Sequence, residues 1–568
     1  MVDAAAPLRE SDARTSVRRP LFVLGALTLV LELLIVLCPG PHLSERWVLA
    51  EELHKGNIAH EVLAGPVLPL LDYHHVPNAG GTLVVGLGAV PFFAVLGETL
   101  LAVRLVPILF DLATVLFFVL VLERLAGRRA AWIGGTLLAI ATPGYALIAV
   151  TSEGSHTENN APTFACVLLW LLLRTDAAGP ASRAPRRLGI AFALGVVAGF
   201  ALYFGYMVAI ALAALAVVEF ACDRRCFLRP SFAAFVPGLL LGLAPWFAYN
   251  ARNGFEGTKL YGASPERLFE VSRVLSGAWA RVASLVAAYL PDSFFFVDVP
   301  HLPRTQLDWT YYVGLLALVV LGVRRVVARA RAARREAGTW SAACARVPEL
   351  VLVAYLPLFV VAYALVDVYQ AWMSIDIAHD GRYVTPLYPF LVALAALGAD
   401  AAWSSSFARG SVRVLAAVGV VGVLAVCDFR RAGEGAALPG TSREEFARWI
   451  AWRYKTDERR MDLVVDGLVR RGDRDELEGV VFTVAELLRW RLRRVDRGDS
   501  FRSGARAELA DALDHLRARV PEPARDLCDP PAEGDRAYRY DERAIYREDR
   551  EARRLGRPVE GAAEPGAK

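Results

Sequence analysis

Leu21-Phe-Val-Leu-Gly-Ala-Leu-Thr-Leu-Val-Leu-Glu-Leu-Leu-Ile-Val-Leu-Cys38 carries a single charged residue, Glu32. Wound as a helix at 1.5 Å per residue it is about 27 Å long, close to the roughly 30 Å of a bilayer's hydrocarbon core. Apolar runs of comparable length recur as far as Phe429, in a chain of 568 residues that is 55% hydrophobic with a mean hydropathy of +0.37. A soluble chain of this size would divide into a few domains with shorter apolar runs. The first run follows Arg14, Arg18 and Arg19 and ends on Leu37, without the short core and small residues of a cleavage site. It therefore reads as an uncleaved first span with a cytoplasmic N-terminus.

Outward from this run, spans are expected at 21–38, 104–122, 131–150, 161–173, 188–204, 206–221, 231–249, 310–323, 347–366, 384–402 and 412–428. The apolar segment Thr82–Gly97 is the ambiguous one, and charge decides it. Cytoplasmic loops carry excess Lys and Arg. If 82–97 does not cross, Arg124, Arg128, Arg129, Arg174, Arg183, Arg186, Arg187, Arg224, Arg225, Arg229, the run Arg324 to Arg335, Arg409 and Arg413 all fall inside. The short outer connections then hold only Arg46, Lys55, Arg104 and Arg382. The segment is therefore expected to be a juxtamembrane helix on the outer face. The expected fold is an all-α polytopic membrane protein of about eleven spans, with outer juxtamembrane helices and a polar C-terminal helical domain. The divisions are 1–20 cytoplasmic, 21–429 transmembrane, 430–520 extracytoplasmic and helical, and 521–568 without expected order. Helices are expected at 442–456, which opens on the capping-box pattern Ser442-Arg-Glu-Glu445, and at 458–471, 474–494 and 504–519. The location is a bacterial plasma membrane; Lys occurs only at 55, 259, 455 and 568, an Arg bias typical of GC-rich bacterial genomes.

Several function classes find no support. The cysteines at 38, 166, 222, 226, 344, 427 and 528 form no disulfide framework, and Cys222 and Cys226 have no nearby Cys or His to complete a metal site. No phosphate-binding loop, zinc-protease or nucleophile-elbow motif is present. The basic residues form no interleaved aromatic surface for nucleic acid.

Chemistry-bearing residues gather in the outer connections. The first, 39–103, contains Glu45, Glu51, Glu52, Lys55, Asp72, His74 and His75. Glu51 and Glu52 suit the solvated face of an interfacial helix, whereas Glu45 follows the first span directly. The second, 151–160, reads Thr-Ser-Glu153-Gly-Ser-His156-Thr-Glu158-Asn-Asn160, and in a helix Glu153 and His156 would share a face. Such a turn also needs polar residues merely to be solvated. Within the spans lie Glu32 and Asp111, counted from the helix ends as about 9–10 Å beneath the outer boundary. Charge at that depth is costly, so both should face the bundle or a polar cavity.

The layout resembles the GT-C superfamily of glycosyltransferases, in particular the bacterial members similar to protein O-mannosyltransferases and aminoarabinose transferases. The likeness spans roughly 20–403. It rests on Ser44-Glu45 after the first span, where the family has an acidic pair, and on His74–Pro77 before an apolar outer helix. It rests further on Leu101-Ala-Val-Arg104-Leu-Val-Pro107, Leu125-Ala-Gly127-Arg-Arg129-Ala-Ala131, Pro245-Trp-Phe-Ala-Tyr-Asn250-Ala-Arg-Asn253-Gly254 and Gly381-Arg382-Tyr383-Val-Thr-Pro386-Leu-Tyr-Pro389. Ser44 departs from the family's acidic pair, and the second-loop acid is either Glu153 or Glu158.

The resemblance implies transfer of a sugar from a polyprenyl-phosphate donor to a hydroxyl of a lipid, glycan or protein on the outer face. It implies Glu45, Glu153 and Glu158 as catalytic candidates. For the substrate and its phosphate it implies Arg382, Tyr383, His74, His75, His156, Lys55 and Asn250. No cofactor is expected beyond the lipid-linked substrate, and no metal ligand is assigned. A carboxylate would serve as general base and cationic groups would stabilise the departing phosphate, giving inversion by direct displacement. Two other readings fit the same composition: a transporter or lipid flippase, and a non-catalytic scaffold presenting the tail. Paired halves with broken helices, frequent in transporters, are not evident in the sequence.

Overall fold

The computed structural model describes residues 10–37, parts of 55–73, 79–151 without 98, 155–177, 184–258 without 253, parts of 278–295, 306–365, 383–404 and parts of 465–529. Among these residues there are helices and turns but no strand. The elements used below are α1 Glu10–Leu37, α2 Gly81–Leu96, α3 Leu100–Ala126, α4 Arg128–Ala139, α5 Pro143–Thr151, α6 Asn160–Ala177, α7 Ala184–Phe204, α8 Val208–Cys222, α9 Pro230–Gly242, α10 Ala244–Arg252, α11 Leu290–Phe295, α12 Gln306–Ala337, α13 Trp340–Arg346, α14 Leu350–Leu365, α15 Tyr388–Ser404 and α16 Ala505–Arg519.

Five helices are long and apolar enough to cross a membrane, or up to 8 if each bent pair is one span. With the shorter apolar helices α6 and α8 they meet every expected span from 21–38 to 384–402. The expected span 412–428 and the helix 442–456 lie outside the described residues. Large apolar side chains such as Phe22, Val217, Leu240 and Leu241 remain exposed on the bundle's flanks, as lipid-facing residues must be. The chain is a multi-pass helical membrane protein.

Three expected spans are broken rather than straight. The bends are 71° between α4 and α5, 50° between α9 and α10, and 105° between α13 and α14. Each second half has a proline within two residues of its start: Pro143, Pro245 and Pro348. Proline lacks the amide hydrogen that would continue the ladder, and its ring clashes with the preceding turn. The Arg-rich segment after 323, expected as a loop, is helical: α12 runs to Ala337 and ends in a turn through Gly338. Arginine is a good helix former, so the helix continues beyond the apolar span.

In lipid, helices gain little from apolar burial and associate through close packing, which small residues allow. Gly195 and Gly199 of α7 face Gly238 and Gly242 of α9 so closely that a Cβ at any of them would fall on backbone of the opposite helix. Gly322 of α12 and Gly398 of α15 make a second crossing of the same kind. At the α3–α4 turn, Gly127 adopts φ 87°, which a β-carbon disfavours, and lets the chain reverse without a longer loop.

The two ends of the bundle differ in charge. At one end Asp400 of α15 pairs with Arg325 of α12 at 2.6 Å and Arg129 of α4 at 3.6 Å. Arg174 of α6 pairs with Glu219 of α8 at 3.3 Å and donates to the carbonyls of Cys344 and Ala345. Arg329 pairs with Glu349 in the same layer. These are residues of the Arg-rich connections read as cytoplasmic. At the other end the Gly80 amide donates to Tyr203 O at 2.6 Å, and Phe204, the last residue of α7, stacks at 5.3 Å on Phe110 of α3.

Phe110 lies ten residues into α3, level with the end of α7, while Val36 of α1 and Val150 of α5 pack beside Ile108 of α3. Val103 and Val106 of α3 share an apolar cluster with Ala89 and Phe93 of α2.

The C-terminal region joins the same end. Val481, Leu488, Leu516 and Val520 share one apolar cluster with Ile58, Tyr73 and Leu83. The expected helix 504–519 is α16, and a 3-10 turn, Ala524–Cys528, extends the described structure past Pro521, with Cys528 buried. The tail thus packs on the first outer loop, at the end opposite the arginine layer. A cysteine introduced at Ser442 should react with an impermeant thiol reagent in intact cells, and one at Ser182 should be protected. Labelling at Ser182, or protection at Ser442, would invert this topology.

Candidate active site at the mouth of the bundle

The second outer connection is not a solvated turn. Ser155 to Asn159 form a tight turn between α5 and α6, and Thr157 and Glu158 are each only 1% exposed. Ser155 has φ 58°, a left-handed conformation that stops helix propagation. The shared helical face expected for Glu153 and His156 is therefore absent at His156, which lies in the turn. The turn is pinned on both sides. Asn159 Nδ2 donates to Gly205 O at 2.6 Å, and Asn159 O accepts from Thr163 Oγ1 at 2.7 Å. The Thr157 hydroxyl donates to Glu158 Oε2 at 3.1 Å.

A polar network runs from this turn into the bundle. Asn160 Nδ2 donates to the Tyr145 hydroxyl at 3.2 Å, and that hydroxyl donates to Asp111 Oδ1 at 3.0 Å. The carboxyls of Asp111 and Glu32 are within hydrogen-bonding reach of each other, and the charge of Glu158 is felt at Asp111. Glu32 and Asp111 are each 4% exposed, so both face the bundle as expected. Tyr145, Thr157 and Asn160 escaped the sequence reading, because a Tyr in an apolar run looks like core and an Asn before a span looks like a cap.

The network also gathers a distant segment. The His156 ring lies 4.7 Å from the Tyr383 ring, and the Tyr145 ring 4.6 Å from that of Tyr388. Tyr388 in turn accepts from the Thr142 amide at 3.1 Å. The Tyr383–Pro389 stretch is thereby brought against the second loop. A small gap with room for about one water molecule lies here between Asn159, Asn160, Thr163, Tyr355 and Pro386.

Other expected residues fall elsewhere. Lys55 is fully buried in the segment whose Ile58 and Ala59 pack on α2 and α3; His60 and Arg104 are buried in the same pair of segments. Asn250 is spent on local structure. Its amide donates to Trp246 O at 2.9 Å and its carbonyl oxygen accepts from Gly257 N at 2.7 Å, closing the turn after α10. Glu45, His74, His75, Glu153 and Arg382 lie outside the described residues. Among the described residues no three His, Cys, Asp or Glu side chains are grouped as metal ligands.

Fold and site together define a helical membrane protein with an acid-bearing polar mouth on the face opposite its arginine layer. No family model matches the sequence, and no curated protein matches it. Among solved structures the chain is similar to the oligosaccharyltransferase of Archaeoglobus fulgidus tethered with an acceptor peptide, at 13% identity and TM-score 0.46, covering 78% of this chain and 58% of that one. It is similar to the same organism's AglB in complex with an inhibitory peptide and a dolichol-phosphate, at 12% identity and TM-score 0.42, covering 77% and 59%. It is similar to ArnT from Cupriavidus metallidurans bound to undecaprenyl phosphate, at 15% identity and TM-score 0.42, covering 89% and 76%. Both kinds of enzyme belong to the GT-C superfamily. The chain spans little more than half the length of the oligosaccharyltransferases.

Proposed function

We propose that this chain is a membrane glycosyltransferase of the GT-C type. It moves a sugar from a polyprenyl-phosphate donor to an acceptor hydroxyl on the face that carries the tail. One observation supports this reading most: the acid-bearing second loop and the Gly381–Pro389 segment, more than 200 residues apart, meet through His156 and Tyr383. These are the stretches whose residues suit proton removal and phosphate binding.

The chemistry divides between two sets of groups. A carboxylate must take the proton of the acceptor hydroxyl as oxygen attacks the sugar carbon. Glu45 is assigned that task. Glu158 is the second acid, fixed by Thr157 and by the pinned turn around it. Its burial keeps it out of bulk water, where a surface carboxylate would be held by solvent rather than substrate. Negative charge grows on the departing phosphate, and Arg382, His74, His75 and His156 are the groups assigned to it. Arg382 directly precedes Tyr383 in the sequence, and the Tyr383 ring meets His156 of the second loop. The donor arrives already activated and membrane-bound, which suits a site at the bundle mouth without a nucleotide-binding fold.

The reading is tested on the phosphate. With a radiolabelled sugar on a polyprenyl phosphate, Arg382→Ala should lose transfer steeply at low donor concentration and recover part of it at high concentration. Loss of one charge-assisted contact acts first on donor binding. Unchanged transfer at low donor would remove Arg382 from the site.

A further inference from the structure

Glu32 and Asp111 have no part in the reaction as described, yet they are two buried acids in hydrogen-bonding reach of each other. An ionised carboxylate only accepts hydrogen bonds, so a bond between two carboxyls contains a proton. Two adjacent bare carboxylates repel, and sharing one proton relieves that repulsion. Every other protein contact of Asp111 that is resolved fits the singly charged pair: Tyr145 donates to Oδ1, and Asn160 donates to Tyr145. Oε2 of Glu32 is buried, and among the described residues no N–H or hydroxyl donates to it.

Among the described residues few other ionisable groups surround the pair. Tyr145 on α5 and Glu158 before α6 face the pair, and Tyr388 on α15 meets it only through the Tyr145 ring. Arg104 lies on α3 two turns further out, α2 has no ionisable side chain, and Arg129 of α4 is at the opposite end with Asp400.

We propose that Glu32 and Asp111 form a proton-holding pair that takes up the proton released by glycosyl transfer. This role rests on the transferase reading above; the shared proton itself does not. In the transfer step the acceptor O–H and the sugar–phosphate C–O bonds break, and a new sugar–oxygen bond forms. The phosphate leaves with its bonding electrons and the proton goes to a loop carboxylate. From there it passes by way of Glu158 to the pair, whose charge falls from one negative to none. The pair later returns that proton to the outer solution at the mouth.

Infrared spectroscopy of the protein in lipid nanodiscs at neutral pH tests the shared proton without any substrate. The wild type should show the carbonyl stretch of a protonated carboxylic acid. Glu32→Gln should remove it, because Asp111 then accepts from two neutral donors and ionises. Tyr145→Phe should shift it, because Asp111 loses a hydrogen bond. Asp111→Asn replaces the first variant if that one does not fold. A wild-type spectrum without the band, or a band unchanged by Glu32→Gln, overturns the pair. The second arm follows transfer against pH. Wild-type transfer should rise with pH as the pair loses its second proton, and Glu32→Gln should lose that slope. A fall by the same factor at every pH would mean a merely structural role and overturn the proton uptake. A chain with no transfer but with the band retains the pair and refutes only the transferase reading.

Discussion

Glu45→Gln and Glu158→Gln should each lower sugar transfer by at least about 10²-fold, the low end of what a general acid or base contributes. Membrane abundance should remain near wild type, because glutamine keeps the size and the hydrogen-bonding capacity of the side chain. The Thr157 hydroxyl can still donate to the amide oxygen of a glutamine at 158, so the turn should persist. What is lost is the negative charge and the ability to take a proton. Glu153→Gln should be mild, since Glu158, 1% exposed, is the second-loop acid assigned to the site. Glu51→Gln, on the expected interfacial face, is the control. Severe loss at Glu153 with normal transfer at Glu158 would exchange the two assignments. Normal transfer in both Glu45→Gln and Glu158→Gln would remove the carboxylate mechanism.

Asp400→Ala should act on the fold instead. Asp400 is the one acid bonded to both Arg325 and Arg129 among the described contacts, and it is 7% exposed. Removing one member of such a group leaves cations without their counter-charge. The cost is about 3 kcal/mol, the low end for a buried pair, because both guanidiniums reach solvent. Against a typical total of about 5–15 kcal/mol this is a large fraction. Thermal unfolding in detergent should shift downward and membrane yield should fall. Specific activity of the surviving protein should stay near wild type, because Asp400 is at the end of the bundle away from the mouth. Asp400→Asn should be milder, since its amide oxygen still accepts from Arg325. An Asp400→Ala protein as stable as wild type would show that the arginine layer does not hold α4, α12 and α15 together.

These two experiments probe parts of the molecule that were unequally visible in the sequence. The helices were legible because a membrane span needs a long apolar run, and such runs survive inspection without knowledge of their neighbours. That one end of the bundle would be arginine-rich was legible, and the layer at Asp400, Glu219 and Glu349 is where those arginines gather. The breaks were less legible. Pro143, Pro245 and Pro348 were visible, but proline also occurs inside membrane helices without ending them, as Pro107 and Pro357 do.

At the site, polar residues crowded into a short loop pointed to Glu153 and Glu158; Glu158 is buried, and Glu153 lies outside the described residues. The network around it could not be read, since Tyr145 and Asn160 acquire their roles only through contacts across helices. Asn250 shows the converse. A residue named by its place in a family-like segment is held by Trp246 and Gly257 in the turn that ends its own helix.

The central claim is that lipid-linked sugar is consumed at the mouth rather than carried across the membrane. Purified protein in sealed proteoliposomes, oriented with the tail outward and given a polyprenyl-phosphate donor labelled in both sugar and lipid together with an acceptor, separates the two. The account predicts sugar-labelled product and free polyprenyl phosphate in equal amounts on the tail side, both lost in Glu158→Gln. Intact donor moved to the inner leaflet without product, across a panel of hexose and pentose donors, would contradict it.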